Sequence, residues 1–187
     1  MPVHGALRRL RPAAAAVGLS FALAAALPAT PASARTGGFV VPKASTVVNV
    51  HSGKCLEIAD WRSDNGAPAR QWACTGGANQ MWDFVPLDGG IMLVNRHSHK
   101  CLEIADWRTD NGAPARQWTC TRGANQHWNY SGDIGPRKDL GLQNLNSAKL
   151  LEIADWRSDN GAPARQWAGQ YPNHDGNKRW ITAIRLT

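Results

Sequence analysis

Sixteen residues recur almost unchanged three times along this chain. Residues 57–72 read EIADWRSDNGAPARQW, 103–118 read EIADWRTDNGAPARQW, and 152–167 return to the first form; only Ser63, Thr109 and Ser158 mark a varying position. The copies begin 46 and then 49 residues apart. A repeat of this length is one supersecondary unit that cannot bury its apolar face alone, so neighbouring copies must share a core. The flanks are looser. Ahead of the blocks stand Asn49-Val-His-Ser-Gly-Lys54, Asn95-Arg-His-Ser-His-Lys100 and Asn144-Leu-Asn-Ser-Ala-Lys149. Behind them stand Gly77-Ala-Asn-Gln-Met-Trp82, Gly123-Ala-Asn-Gln-His-Trp128 and the degenerate Asp175-Gly-Asn-Lys-Arg-Trp180.

Within each unit the local signals are those of strands. Cys55-Leu-Glu-Ile58 alternates in polarity, as does the segment ending at Trp72 and Cys74. Asp64-Asn-Gly66 and Ser52-Gly53 predict hairpin-type turns, because Asn and Gly tolerate positive φ. Pro68 cannot donate to a ladder and belongs in a loop or at a strand start. No helical period runs through residues 35–187. About four short strands fit each unit, roughly twelve in all. Closing three units around a threefold axis removes free sheet edges. The expectation is an all-β chain with pseudo-threefold symmetry and repeats at about 44–86, 87–134 and 135–187. The nine tryptophans divide three to a repeat, and at least one of each three should fill the core.

Residues 1–34 stand apart. Arg8, Arg9 and Arg11 precede an apolar run from Ala13 to Leu27, and Ala32-Ser33-Ala34 follows. This is the pattern of a secretory signal cleaved after Ala34. A membrane anchor fits worse, since Pro28 and Pro31 interrupt the run. No later apolar run is long enough for a membrane helix, so the chain should be secreted, with 35–187 as its single domain and no membrane partner. Losing those three arginines lowers the formal charge from +7 to +4. The remaining basic residues are dispersed and form no stripe of the kind nucleic acid requires. In an oxidising compartment an even cysteine count reads as disulfides. Cys55 and Cys74, like Cys101 and Cys120, lie 19 residues apart, and no C-x-x-C half-site suggests zinc. Pairing within each repeat is the simple choice, with each bridge contributing ~3 kcal/mol on the chain-entropy view. The third repeat has Leu150 and Gly169 there and should lack the bridge. Neither a metal nor a cofactor is expected.

At Lys54-Cys-Leu-Glu-Ile58, Trp72-Ala-Cys74 and Asn79-Gln-Met-Trp82 the sequence resembles the ricin B-type lectin family. Lys100-Cys-Leu-Glu-Ile104, Trp118-Thr-Cys120 and Asn125-Gln-His-Trp128 repeat the match, and the third copy matches in part. The resemblance spans 44–187. It implies a β-trefoil, intra-repeat disulfides and a sugar pocket in each repeat. Its sugar-binding acid falls on Glu57, Glu103 and Glu152, and the residue bracing that acid on Arg70, Arg116 and Arg165. The stacking aromatic falls on Trp72, Trp118 and Trp167. The closing amides fall on Asn79 and Gln80, Asn125 and Gln126, and Asn177, with Lys178 replacing the last glutamine. Such a set suits a sugar: a carboxylate accepts from adjacent hydroxyls, an indole takes the C–H face, and an amide both donates and accepts.

One departure recurs in every copy. The family usually has aspartate at Glu57 and glutamine at Arg70. A longer acid facing a cation can form a cross-strand ion pair that closes the pocket. Asp60 and Trp61, with Asp106 and Trp107 and with Asp155 and Trp156, then become the candidate sugar contacts; a lid over the core is the other reading of those tryptophans. The resulting expectation is a non-catalytic, monomeric carbohydrate-binding protein with up to three weak sites, for a galactose-, xylan- or related glycan. Repeats one and two should bind best. The alternative is a protein binder resembling a protease inhibitor, using Gly132–Lys138 or Tyr171–Asn177 as its loop. A glycosidase ranks last. Glu57 and Asp60 could form a carboxylate pair, but a threefold recurrence without a large cleft suits binding better than catalysis. His51, His97, His99, His127 and His174 form no triad or ligand pattern.

Overall fold

Short apolar segments give twelve strands among the described residues; Ser45–Asn49 and Ala69–Trp72 alternate in burial, whereas Cys55–Ile58 and its two copies are buried at every position. The computed structural model describes Met1 and residues 44–132, 139–170 and 175–184. The chain divides into Met1–Gly38 and Phe39–Thr187, and all twelve strands belong to the second unit. The expected leader with its exit at Ala34, His174, residues 133–138 and residues 171–174 lie outside the described residues. Repeat one holds β1 (Ser45–Asn49), β2 (Cys55–Ile58), β3 (Ala69–Trp72) and β4 (Met81–Leu87). Repeat two holds β5 (Gly90–Asn95), β6 (Cys101–Ile104), β7 (Ala115–Trp118) and β8 (Trp128–Gly132). Repeat three holds β9 (Asp139–Asn144), β10 (Leu150–Ile153), β11 (Ala164–Trp167) and β12 (Trp180–Ile184).

Six strands close a barrel. β1 pairs with β4, β4 with β5, β5 with β8, β8 with β9, β9 with β12, and β12 returns to β1, all antiparallel. Closure leaves no barrel edge. The other six form the pairs β2–β3, β6–β7 and β10–β11, in which Glu57 faces Arg70, Glu103 faces Arg116 and Glu152 faces Arg165. This is the β-trefoil arrangement. Trp82, Trp128 and Trp180 are fully buried in its core. Each indole N–H, which would be costly to strand there, donates to a main-chain carbonyl: Leu56 at 3.0 Å, Leu102 at 3.1 Å and Leu151 at 3.1 Å.

The expected turn at Asp64-Asn-Gly66 forms, with Gly66 at positive φ, but it sits inside a longer loop rather than closing a hairpin. β2 and β3 are joined by the long 59–68 loop, whose far side pairs with the next repeat. Gly66 N–H donates to Gln117 O, and Gln117 N–H donates back to Ala67 O, both at 2.9 Å. Pro68 bridges Arg116, Pro114 bridges Arg165 and Pro163 bridges Arg70, so the seam runs once around the axis. Asn65 Oδ1 accepts from Thr119 N at 2.9 Å. Gly66, at φ +86°, lies beneath the Trp118 ring, where a Cβ would be 3.7 Å from the indole. Blocks 57–72, 103–118 and 152–167 therefore bind copies of themselves. A change in one must suit its neighbour, which accounts physically for their near-identity beside looser flanks.

Both bridges form, Cys55–Cys74 and Cys101–Cys120. In repeat three Leu150 fills the corresponding place and is 1 % exposed. Gly169 makes room for it, since a Cβ there would sit 2.9 Å from Leu150 Cδ1.

Candidate functional site

Each hairpin pair carries the same constellation on its outer end. Arg70, on β3, donates from Nε to Glu57 Oε1 on β2 and from Nη2 to Asp60 Oδ1, both at 2.9 Å. Arg116 repeats this with Glu103 and Asp106, and Arg165 with Glu152 and Asp155, at the same distances. The guanidinium carbon lies 4.5 Å from the centroid of Trp72, and the distance recurs at Trp118 and Trp167. One arginine thus ties two carboxylates and covers one indole face. At Arg165 burial opposes the charge, but the bonds to Glu152 and then Asp155 outweigh it, so its pKa lies above the ordinary value.

Glu57 is fully engaged. It is 4 % exposed, and its Oε2 accepts from Gln80 Nε2 at 2.9 Å and Asn79 Nδ2 at 3.3 Å. Glu103 is held likewise by Gln126 and Asn125. Glu152 receives Asn177 at 3.1 Å, and Lys178, in place of a glutamine, lies 3.5 Å away while also pairing with Asp175. The ion pair considered from the Glu/Arg exchange is therefore present in all three repeats. It does not fill the pocket. Above it remain hollows of about 230 Å3 in repeat one, 210 Å3 in repeat two and 280 Å3 in repeat three.

The first hollow is lined by Glu57, Asp60, Trp61, Arg70, Trp72, Thr75 and Asn79. Of these, Asp60 and Trp61 lie open to solvent: the aspartate side chain is 69 % exposed and the tryptophan 51 %. Their copies Trp107 and Trp156 are also exposed, so these indoles are not lids buried on the core. Gln80 and Gln126 lie behind the acid, fully buried, bracing Glu57 and Glu103 and the loops at Thr75 and Thr121. Asn79 donates to Glu57 and to Ile58 O, leaving its buried Oδ1 with no partner; Asn125 and Asn177 repeat this. Such an orphan acceptor costs ~1–3 kcal/mol and calls for a donor.

Two features could not be read from the residues. Asp60 and Trp61 both have positive φ, 55° and 54°, and the pair recurs at Asp106–Trp107 and Asp155–Trp156. A bulky residue there is strained by ~1–3 kcal/mol, and such strain gathers at binding sites. Gly77 seats the exposed indole, because a Cβ there would lie 2.7 Å from Trp61 Cζ2. Asp175 stands at that position in repeat three, beside the hollow of larger volume. Beside the site, Arg62 holds Asp64 below the usual carboxylate range through a side-chain hydrogen bond, as Arg108 does Asp110 and Arg157 does Asp159. Among the described residues no group of three or more His, Cys, Asp or Glu side chains could hold a metal ion, and no helix is long and apolar enough to cross a membrane.

A closed six-strand barrel capped by three hairpin pairs, each with its acid, amide and indoles, defines a β-trefoil of lectin type. The pattern of the ricin-type β-trefoil lectin domain-like family matches residues 39–118 and 88–167, and the chain belongs to that family. ThreeFoil, a designed threefold-symmetric protein, superposes with a TM-score of 0.68 at 32 % identity, over 74 % of this chain and 96 % of that one. 1,3Gal43A, an exo-β-1,3-galactanase from Clostridium thermocellum, superposes with a TM-score of 0.70 at 29 % identity, over 76 % of this chain and 30 % of that one. Serine protease 1 of Rarobacter faecitabidus is 46 % identical over 39 residues, which is 21 % of this chain and 7 % of the protease. The chain thus spans a small part of both enzymes.

Proposed function

We propose that this protein is a secreted, monomeric lectin that binds carbohydrate without transforming it, through one weak site per repeat. The observation that carries the reading is the threefold recurrence of one hollow rimmed by an exposed carboxylate and an exposed indole, above a buried amide oxygen with no partner. Asp60 keeps a carboxylate oxygen for a pair of ligand hydroxyls, since Arg70 engages only Oδ1. Trp61 offers its face to the C–H side of a pyranose. Glu57 and Arg70 form the floor rather than the first contact. The resemblance places the stacking at Trp72, but Arg70 covers that indole, and Trp61 is the freer surface. Family membership and likeness to a galactanase support a galactose-containing glycan over a xylan.

Single shallow sites bind weakly, and three on one scaffold gain by simultaneous attachment to a polymer. The test is a glycan array and polysaccharide pulldown with residues 35–187. The wild type runs beside Trp61→Ala/Trp107→Ala and Trp72→Ala/Trp118→Ala proteins. Loss of retention in the first double variant is the expected result, with a smaller loss in the second. A folded, oxidised wild type that retains no glycan would sink the reading and turn attention to protein partners.

A further inference from the structure

The strained turn that presents Trp61 is not held by its own repeat. Its carbonyl accepts from His97 Nε2 at 2.8 Å, and His97 belongs to repeat two. A carbonyl only accepts, so Nε2 carries the proton. The same side chain meets the Trp61 ring edge-on, with centroids 5.2 Å apart. The opposite wall is held from the same place: Asn95 Nδ2 donates to Asn79 O at 2.9 Å. Between them, Asn95 Oδ1 receives the main-chain N–H of His97 at 3.1 Å and of Ser98 at 3.3 Å, fixing a local turn. Ser98 Oγ then donates to Gln117 Oε1 at 2.5 Å, and Gln117 Nε2 donates to Arg62 O at 3.0 Å and Asp64 O at 2.9 Å. One short turn of repeat two therefore grips the pocket of repeat one at Asn79 and Trp61, and through Gln117 at the loop beyond.

The grip passes around the ring. Asn146 Nδ2 holds Trp107 O at 3.0 Å and Asn144 holds Asn125 O at 2.8 Å. His51 Nε2 holds Trp156 O at 3.0 Å and Asn49 holds Asn177 O at 2.9 Å. Besides a lysine at Lys54, Lys100 and Lys149, the looser flanks ahead of the blocks keep what this needs: Asn, then any residue, then His or Asn, then Ser, at Asn49–Ser52, Asn95–Ser98 and Asn144–Ser147. Histidine and asparagine share one property used here, an N–H that reaches a carbonyl across the repeat boundary.

We propose that each sugar site is built by two repeats, with His97, Asn146 and His51 acting as positioning residues for the Trp61, Trp107 and Trp156 turns that precede them around the ring. This rests on the lectin reading of those turns. None of the three need touch the ligand. Each keeps a strained turn in the shape that exposes its indole, so that saccharide does not have to order it.

The test uses the full chain in single-site form. Trp107→Ala/Trp156→Ala leaves the first site alone, and the two matching pairs leave the second or third. In the first background His97→Ala should weaken saccharide binding about tenfold, the scale of one lost hydrogen bond. His97→Asn should restore it to within about twofold, since Asn146 already does this work in the molecule. Across the three backgrounds, the largest loss should move from His97 to Asn146 to His51. Equal losses from all three residues in every background, or failure of asparagine to rescue, would overturn the proposal in favour of a general structural role. Hydrogen exchange at the Arg62 amide, which closes the turn onto Ala59 O at 3.1 Å, gives a ligand-free readout. It should quicken in His97→Ala and recover in His97→Asn. Unchanged exchange overturns the positioning. Faster exchange in a protein whose wild type retains no glycan overturns the lectin reading instead, and with it the role assigned to the turn in a sugar site.

Discussion

Arg70 and its copies decide how much of the hollow stays open. The guanidinium answers Glu57, which is almost wholly buried, and shields one face of Trp72. Replacing it by leucine leaves Glu57 Oε1 without a donor in a dry place. Since Arg70 itself is about one-fifth exposed, the loss should fall near 2–3 kcal/mol rather than at the upper end for buried pairs. Arg70→Gln, which supplies the amide the lectin resemblance expects there, still donates to Glu57 and should cost about 1 kcal/mol or less. It also bares the indole, so the altered repeat should bind saccharide more tightly than its parent. Urea denaturation and titration of single-site proteins check both statements. Equal destabilisation by leucine and glutamine would show that the charge, not the hydrogen bond, holds Glu57. At this scale the sequence speaks clearly about partners and poorly about shape. The pairing of Glu57 with Arg70 is visible because both exchanges recur together in every copy. The positive φ of Asp60 and Trp61 is invisible, because no glycine or asparagine marks the turn and its support comes from another repeat.

Elements are more legible than the turns between them. Twelve strands, two bridges and one core tryptophan per repeat follow from alternation, cysteine spacing and indole area, and all are present. The turn at Asp64-Asn-Gly66 is legible, but the length of the 59–68 loop around it is not, because the far side of that loop is held by the next repeat. The third repeat shows how a strand pair survives without its bridge. Leu150 occupies the buried position of Cys55, and Gly169 leaves the space its side chain needs. Writing that solution into repeat one, as Cys55→Leu/Cys74→Gly, should therefore cost less than Cys55→Ala/Cys74→Ala. Both lose the cross-link, ~3 kcal/mol on the chain-entropy view, but the alanine pair also leaves a void of the kind that adds ~1–2 kcal/mol. Thermal melts of the two oxidised proteins decide it. Equal stabilities would mean that the leucine cannot settle against the first repeat's own neighbours.

At the scale of the molecule, the repeats are joined in a ring whose links are the glutamines of the recurring block. Gln71, Gln117 and Gln166 are fully buried. Gln71 Nε2 donates to Arg157 O at 2.9 Å and to Asp159 O at 3.0 Å in repeat three, while its Oε1 takes the hydroxyl of Ser52 at 2.5 Å. Its main chain adds two bonds across the same seam, from Gln71 N to Ala162 O and from Gly161 N to Gln71 O, both at 2.9 Å. No repeat holds its own cap; each is finished by a neighbour, and the barrel beneath closes only when all three contribute. Gln71→Leu would strand two carbonyls and a hydroxyl, and should cost about 2–3 kcal/mol. That cost should appear as one shifted transition, with near-ultraviolet signal from the core tryptophans and far-ultraviolet signal from the strands moving together. The equivalent changes at Gln117 and Gln166 should agree with it within about 0.5 kcal/mol, because the contacts are the same three times over. A biphasic curve, with one repeat melting ahead of the others, would mean that the barrel outlives its cap and that the ring does not bind the fold into a single cooperative unit.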